Sequence, residues 1–298
     1  MAKLELVHLS GSSFVIPGPT ILGLIKRGAE AYLVDSGNDR EAGRKILRLC
    51  EENGLKIRAI LNTHSNADHV GGNEYLQAAT GCRIYASKGE KAFIESPRLE
   101  GSFLWGGLPT GELDNKFFCA SPSRVTDMIE DMGVLGEEDI EFVPLGGHFF
   151  DMLGIMTGDR VFYVADCMFG LKVLEKHRIP FIYDVASYKA SIRKVQGTQA
   201  NHYVMSHGEI EKDIGQVAME NLGLVERVEE SILGILREER NFDSILKKIC
   251  DAFGIDLAYG SYALAGSTIR SFLTSLANER KIAYRFTDNE MLWRTPAD

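Results

Sequence analysis

The stretch NTHSNADHVGG, residues 62–72, sets His64, Asp68 and His69 within six residues and follows them with paired glycines. Imidazole and carboxylate groups crowded onto one tight turn suit a divalent ion such as zinc, iron or manganese. Asn66 stands among them, and its amide oxygen is a neutral, weaker donor than an imidazole. Upstream, IRAILNTH is a mostly apolar run that reads as a buried strand delivering His64 at its end. Downstream, a helix is expected from Asn73 to about Ala79, then a strand over CRIYAS.

Further donors fall at the ends of later strand-like runs: His148 in PLGGHFF, Asp166 in VFYVAD and His207 in VMSHGE. A lone histidine is usually a satisfied polar residue. A cluster joined by three more groups, each at a strand end, is the pattern of a metal site, because loops at strand ends can aim several side chains at one point.

In this order H-x-N-x-D-H, His148, Asp166 and His207 resemble the metallo-β-lactamase superfamily. The resemblance covers residues 1–230 and includes the VDSG turn at Asp35. It implies an α/β fold, a four-layer αβ/βα sandwich with the metals at one edge. It also implies that His64, Asn66 and His148 face a first metal, that Asp68, His69 and His207 face a second, and that Asp166 bridges them. The implied cofactor is one or two divalent ions, zinc foremost, with iron or manganese as alternatives. Most hydrolases of the family carry a histidine where Asn66 stands, so the second site is expected to bind more tightly. Asn66 either ligates through its oxygen or only hydrogen-bonds within the loop.

The implied reaction is hydrolysis of a small acyl substrate (ester, thioester or lactone) by a metal-bound hydroxide. Asp68 and Asp166 are its catalytic residues: Asp166 bridges, and Asp68 orients the nucleophile or passes its proton on. Two alternatives stand beside it. One is an RNA or phosphodiester hydrolase; the other is a weakened enzyme kept as a metal- or ligand-binding regulator with a winged-helix tail.

Composition bears on these alternatives. The 298 residues are 45% hydrophobic and 25% charged, as in ordinary globular proteins, with a net charge of −9 that argues against a broad nucleic-acid surface. Five scattered cysteines without a CxxC pair read as reduced thiols, and MAKLELVHLS lacks the apolar core of a signal peptide. A cytoplasmic protein without a membrane segment is expected, its partners being a small-molecule substrate and a second copy in a homodimer.

The first 230 residues are expected to form the metal-binding hydrolase domain and residues 240–298 a small one. FDSILKKICDAF and GSTIRSFLTSLANERK read as amphipathic helices, and KIAYRFTDNEMLWRT as a hairpin turning at Asp288–Asn289, an order resembling a winged helix. From Arg240 to Asp298 eight Lys/Arg meet seven Asp/Glu, a net of +1, so dimerisation or buttressing suits the tail better than DNA binding. Residues 97–136, rich in glycine and aromatics, are expected to form a flap over the metal pocket, with Phe103 and Trp105 above it. His8, His202 and His177 are expected to be structural or surface residues, Asp151 a turn residue near the site, and Cys167 a packing residue.

Overall fold

Residues 4–129, 135 and 139–296 are described by the structure, a computed structural model. Seven strands form the first sheet in chain order: β1 (Val7–Ser10), β2 (Ser13–Ile16), β3 (Leu22–Arg27), β4 (Glu30–Val34), β5 (Lys56–Leu61), β6 (Arg83–Ser87) and β7 (Asp127–Ile129). β1 to β4 run antiparallel, and β4 to β7 are parallel neighbours. Parallel neighbours need crossovers. These are α1 (Arg40–Glu52), then α2 (Ala67–Val70) with α3 (Asn73–Thr80), then α4 (Lys88–Glu95) with α5 (Arg98–Trp105). α1 starts where the Asp39 side chain accepts from the Ala42 amide, and it stops at Asn53 before Gly54, whose φ is +67°.

A second sheet, in the order β12-β11-β10-β9-β8, comprises β8 (Ile140–Pro144), β9 (Leu153–Thr157), β10 (Val161–Ala165), β11 (His202–Met205) and β12 (Ile210–Glu211). Its parallel pair, β10 and β11, is crossed by α6 (Leu171–His177) and α7 (Val185–Gly197). Alternation along β4 shows how the layers arise. Tyr32 and Val34 face the second sheet with Ile155 and Tyr163, while Ala31 and Leu33 face Ile46 and Leu76 of α1 and α3. On the far side, Phe162 and Val164 of β10 pack with Ile192 of α7 and Val225 of α8 (Gly215–Ile235). The result is the expected αβ/βα sandwich.

The last segment adds β13 (Arg240–Asn241), α9 (Phe242–Phe253), α10 (Tyr259–Asn278), β14 (Ala283–Thr287) and β15 (Glu290–Arg294). β14 and β15 turn at Asp288 and Asn289, both at positive φ, as a two-residue primed turn requires. Ile245, Ile249, Ile269 and Phe272 of α9 and α10 enter the same core as α8 and the second sheet. The tail is thus packed onto the sandwich.

Residues 97–129 differ from the expected irregular flap, and 130–134 and 136 lie outside the described residues. The segment forms α5, a short 3-10 turn at Gly111–Leu113 and β7. Phe103 packs edge-on against Phe93, Phe149 and Phe150, and Trp105 stacks on Tyr259 of α10 with ring centroids 4.8 Å apart. Neither ring lines the cavity beside the candidate ligands. Aromatic side chains serve here to join α5 to its neighbours, which the sequence pattern alone could not distinguish from a lid.

Candidate metal centre

The turns after β4, β5, β10 and β11, together with the β8–β9 loop, meet at one edge of the sandwich. Asp35 follows β4 directly and lies in the left-handed region, φ +63°, a conformation that aspartate tolerates better than most residues. Its carboxylate accepts from the Thr63 amide and the Thr63 hydroxyl, each at 2.8 Å, and from His69 Nδ1 at 2.8 Å. The paired glycines let this loop lie backbone to backbone on its neighbour. A Cβ on Gly71 would come within 2.3 Å of the Asn38 backbone, and one on Gly72 within 2.3 Å of the Ser36 carbonyl oxygen.

All four histidines are held in one way. Nδ1 of His64 meets the Thr63 hydroxyl at 3.0 Å, and that hydroxyl donates onward to Asp35. Nδ1 of His69 meets Asp35, that of His148 the Phe181 carbonyl at 2.9 Å, and that of His207 the Pro19 carbonyl at 3.2 Å. With Nδ1–H committed to acceptors, each ring is left with Nε2 for the centre, the outer arrangement that orients histidine ligands.

Two groups result. His64, His148 and Asp166 each bring a donor atom within 4.8 Å of the others, and so do Asp68, His69 and His207. Asp166 lies between them, 3.4 Å from His69 Nε2, 3.6 Å from His148 Nε2 and 3.5 Å from His207 Nε2. Asp68 is 3.0 Å from His207 Nε2 and accepts from the Thr20 hydroxyl. Buried polar atoms are normally hydrogen-bonded, yet Nε2 of His64 and of His69 and Oδ1 of Asp166 make no hydrogen bond. Unpaired donors converging on two points are what bound cations would satisfy, so the residues fit a pair of divalent ions.

Asn66 adds a donor to the first group. Its Nδ2 donates to Glu100 Oε1 at 2.9 Å, which turns Oδ1 toward His148 Nε2 at 3.1 Å. Since His148 Nδ1 carries its proton to the Phe181 carbonyl, two lone pairs face each other here, an arrangement a cation between them would relieve. Glu100, on α5, is buried. Burial drives its carboxyl well above the usual range, although the bond from Asn66 opposes this.

Electrostatics differ between the groups. Burial and the neighbouring His69 hold His64 well below the usual imidazole range; burial also lowers His148, against the pull of Asp166. Burial pulls His69 and His207 down too, but Asp68 and Asp166 outweigh it and raise both. Burial opposes ionisation of Asp68 and Asp166, and the surrounding imidazoles overcome it, holding both carboxyls well below the usual range.

Asp151 lies in a brace beside the centre. Its carboxylate accepts from the Gly89 amide at 2.8 Å, while its own amide donates to Glu90. Glu90 also accepts from the amide and hydroxyl of Ser65, tying the β5 loop to the β8–β9 loop; burial pushes its carboxyl up to about 7. His8 pairs with Phe14 and the Gly11 carbonyl, Cys167 is buried in the core, and His202 is half-buried at the start of β11. His177, expected on the surface, is exposed at the end of α6 but lines the cavity next to His148 and His207. Glu90 and Glu100 escaped the sequence reading, because a carboxylate in SKGEKAF or PRLEGSF looks like any charge on a solvated helix. Only the burial of both betrays them.

Residues 16–207 match the profile of the family described as "Metallo-beta-lactamase superfamily". The chain is 22% identical over 284 residues to an atrochrysone carboxyl ACP thioesterase of Aspergillus fumigatus, covering 91% of this chain and 79% of that protein. It is 41% identical to a hydroxyacylglutathione hydrolase of Gloeobacter violaceus over 71 residues, 24% of this chain and 27% of that protein. A solved metallo-beta-lactamase family protein from Thermus thermophilus superposes with a TM-score of 0.75 at 17% identity, covering 99% of each chain. A beta-lactamase domain protein from Burkholderia ambifaria gives 0.74 at 16% identity, covering 98% of this chain and 95% of that one.

Proposed function

The chain belongs to the metallo-beta-lactamase superfamily, and on that premise we propose that it is a metal-dependent hydrolase of thioesters of small acyl groups. What carries the reading is the convergence of two donor triads on one shared carboxylate, Asp166. The thioesterase and the hydroxyacylglutathione hydrolase support the thioester class. The first ion would be held by His64, Asn66 Oδ1 and His148, the second by Asp68, His69 and His207, with Asp166 shared. Zinc suits the donor set best, four imidazoles, two carboxylates and one amide. Ions seated there would lower the pKa of a water and polarise the acyl carbonyl.

The chain's own groups do the rest. Asp166 sits between the triads and balances charge. Asp68, ionised and with its side chain 37% exposed, is the carboxylate that can reach a reacting water. It accepts a proton as water adds to the carbonyl carbon, and returns it to sulfur as the C–S bond breaks. Asp35, Phe181 and Pro19 keep the imidazoles aimed throughout.

All five cysteines are free, which suits a reducing cytoplasm. Among the described residues no helix is long and apolar enough to cross a membrane. The test is a panel of thioester, oxygen ester, lactone and phosphodiester substrates, assayed with zinc-, iron- and manganese-loaded protein. Thioesters should turn over fastest. Turnover of RNA or a phosphodiester alone would replace this reading.

A further inference from the structure

A cavity of about 340 Å³ opens from His148, Asp166 and His207 and runs between α6, with the turn that follows it, and the tail helices α9 and α10. That size is at the lower end of small-molecule pockets, roughly 300–1,000 Å³. Val173, Leu174 and Phe181 line one wall, and Ile249, Leu264 and Ile269 the other. Of the hydroxyls on its lining, Thr268 accepts from the Ile182 amide, and Ser261 bonds to the backbone at Asp256 and Ala258. Beyond the metal-centre histidines, only His177 and Arg178 among the described lining residues could carry positive charge.

These walls discriminate between the two halves of a thioester. Thiol carriers bring amides, carboxylates or phosphates, which cost several kcal/mol to bury without partners. An acyl chain brings only apolar surface, which such walls stabilise in proportion to the area covered. We propose that this cavity holds an apolar acyl group, with the reacting carbonyl at the metal centre and the thiol directed outward to solvent. This rests on the thioesterase reading above. It gives α9 and α10 a part in substrate selection, since half of the acyl wall comes from them.

The experiment uses zinc-loaded enzyme with acetyl, butyryl, hexanoyl, octanoyl and decanoyl thioesters of N-acetylcysteamine. In parallel, calorimetry measures binding of hexanoate, octanoate and decanoate. kcat/KM should climb by about fourfold per methylene, the transfer free energy of one CH₂, and fall once the cavity is full. Carboxylate affinity should follow the same slope. Ala265→Phe, which puts a ring into the space, should reduce the octanoyl-to-acetyl ratio at least tenfold; Leu264→Ala should move the optimum to longer chains. Length-dependent carboxylate binding without thioester turnover would keep the apolar cavity and remove the reaction. Turnover with a flat length profile, unmoved by Ala265→Phe, would keep the reaction and overturn the acyl assignment.

Discussion

The two triads share Asp166 but are built differently. The first (His64, Asn66 and His148) buries both of its imidazoles with Asn66 half-buried beside them, holds those imidazoles neutral, and carries no carboxylate of its own besides the shared one. The second is more open, with side chains of Asp68 and His207 37% and 22% exposed, and it adds Asp68 in front of His69 and Asp35 behind. A cation entering the second triad meets more negative charge but must displace protons from raised imidazoles. One entering the first displaces none, yet gains only one full charge and an amide dipole. On the proposed assignment, position 66 would set an imbalance between the two ions.

Removing the shared element should have the largest effect. Asp166→Ala should lower thioester turnover by on the order of 10²–10⁴-fold and weaken zinc at both triads, whereas Asp68→Ala should cost turnover on a similar scale but weaken only the second. Metal counts on the two variants distinguish these outcomes; equal loss from both would break the distinction between the triads.

The supports come next. Asp35→Ala releases His69 and should weaken the second ion by about 10–100-fold, and Glu100→Ala releases the Asn66 amide and should weaken the first by a similar factor. Competition with a chelator measures each constant. If Glu100→Ala left the first ion untouched, the Asn66 oxygen would not be held by that bond.

A smaller effect concerns the protein without metal. His69 and His207 have pKa values raised on folding, as does Glu90, to about 7. A raised group stabilises the fold below its unfolded pKa, and that contribution is lost as pH rises through the folded value. The Tm of metal-free protein should thus fall as pH is taken from about 7 to 9, while below about 6.5 the lowered imidazoles of His64 and His148 act in the opposite direction. Bound zinc should remove the part due to His69 and His207, because it holds both imidazoles deprotonated. A Tm that rises from about pH 7 to 9 without metal would contradict the assignment. The smallest effect is expected at Trp105. Trp105 is 41% exposed and its ring stacks on Tyr259 away from the cavity, so Trp105→Ala should cost about 1 kcal/mol of stability and leave KM within twofold.

These contrasts divide what the sequence could tell from what it could not. Donors grouped within a few residues, or ending an apolar strand, were legible because their spacing is local: His64, Asp68 and His69 in one loop, and Asp166 and His207 after β10 and β11. α3, α9 and the Asp288–Asn289 hairpin were legible for the same reason, since periodicity and turn chemistry act over a few residues. Glu100 was not, because its partner lies 34 residues away and nothing in PRLEGSF marks it as buried. Nor was the cavity, whose walls come from α6 and from helices about eighty residues later. The aromatic segment misled for a related reason: composition announces ring contacts without saying what the rings touch.

Zinc titration of metal-free wild type and Asn66→His, counting bound ions and fitting each constant, tests the unequal pair most directly. The wild type should bind two ions, the second triad's tightly and the first triad's more weakly. Asn66→His should tighten the weaker one and leave the other unchanged. Two equally tight ions in the wild type, or a single ion in both proteins, would contradict the account.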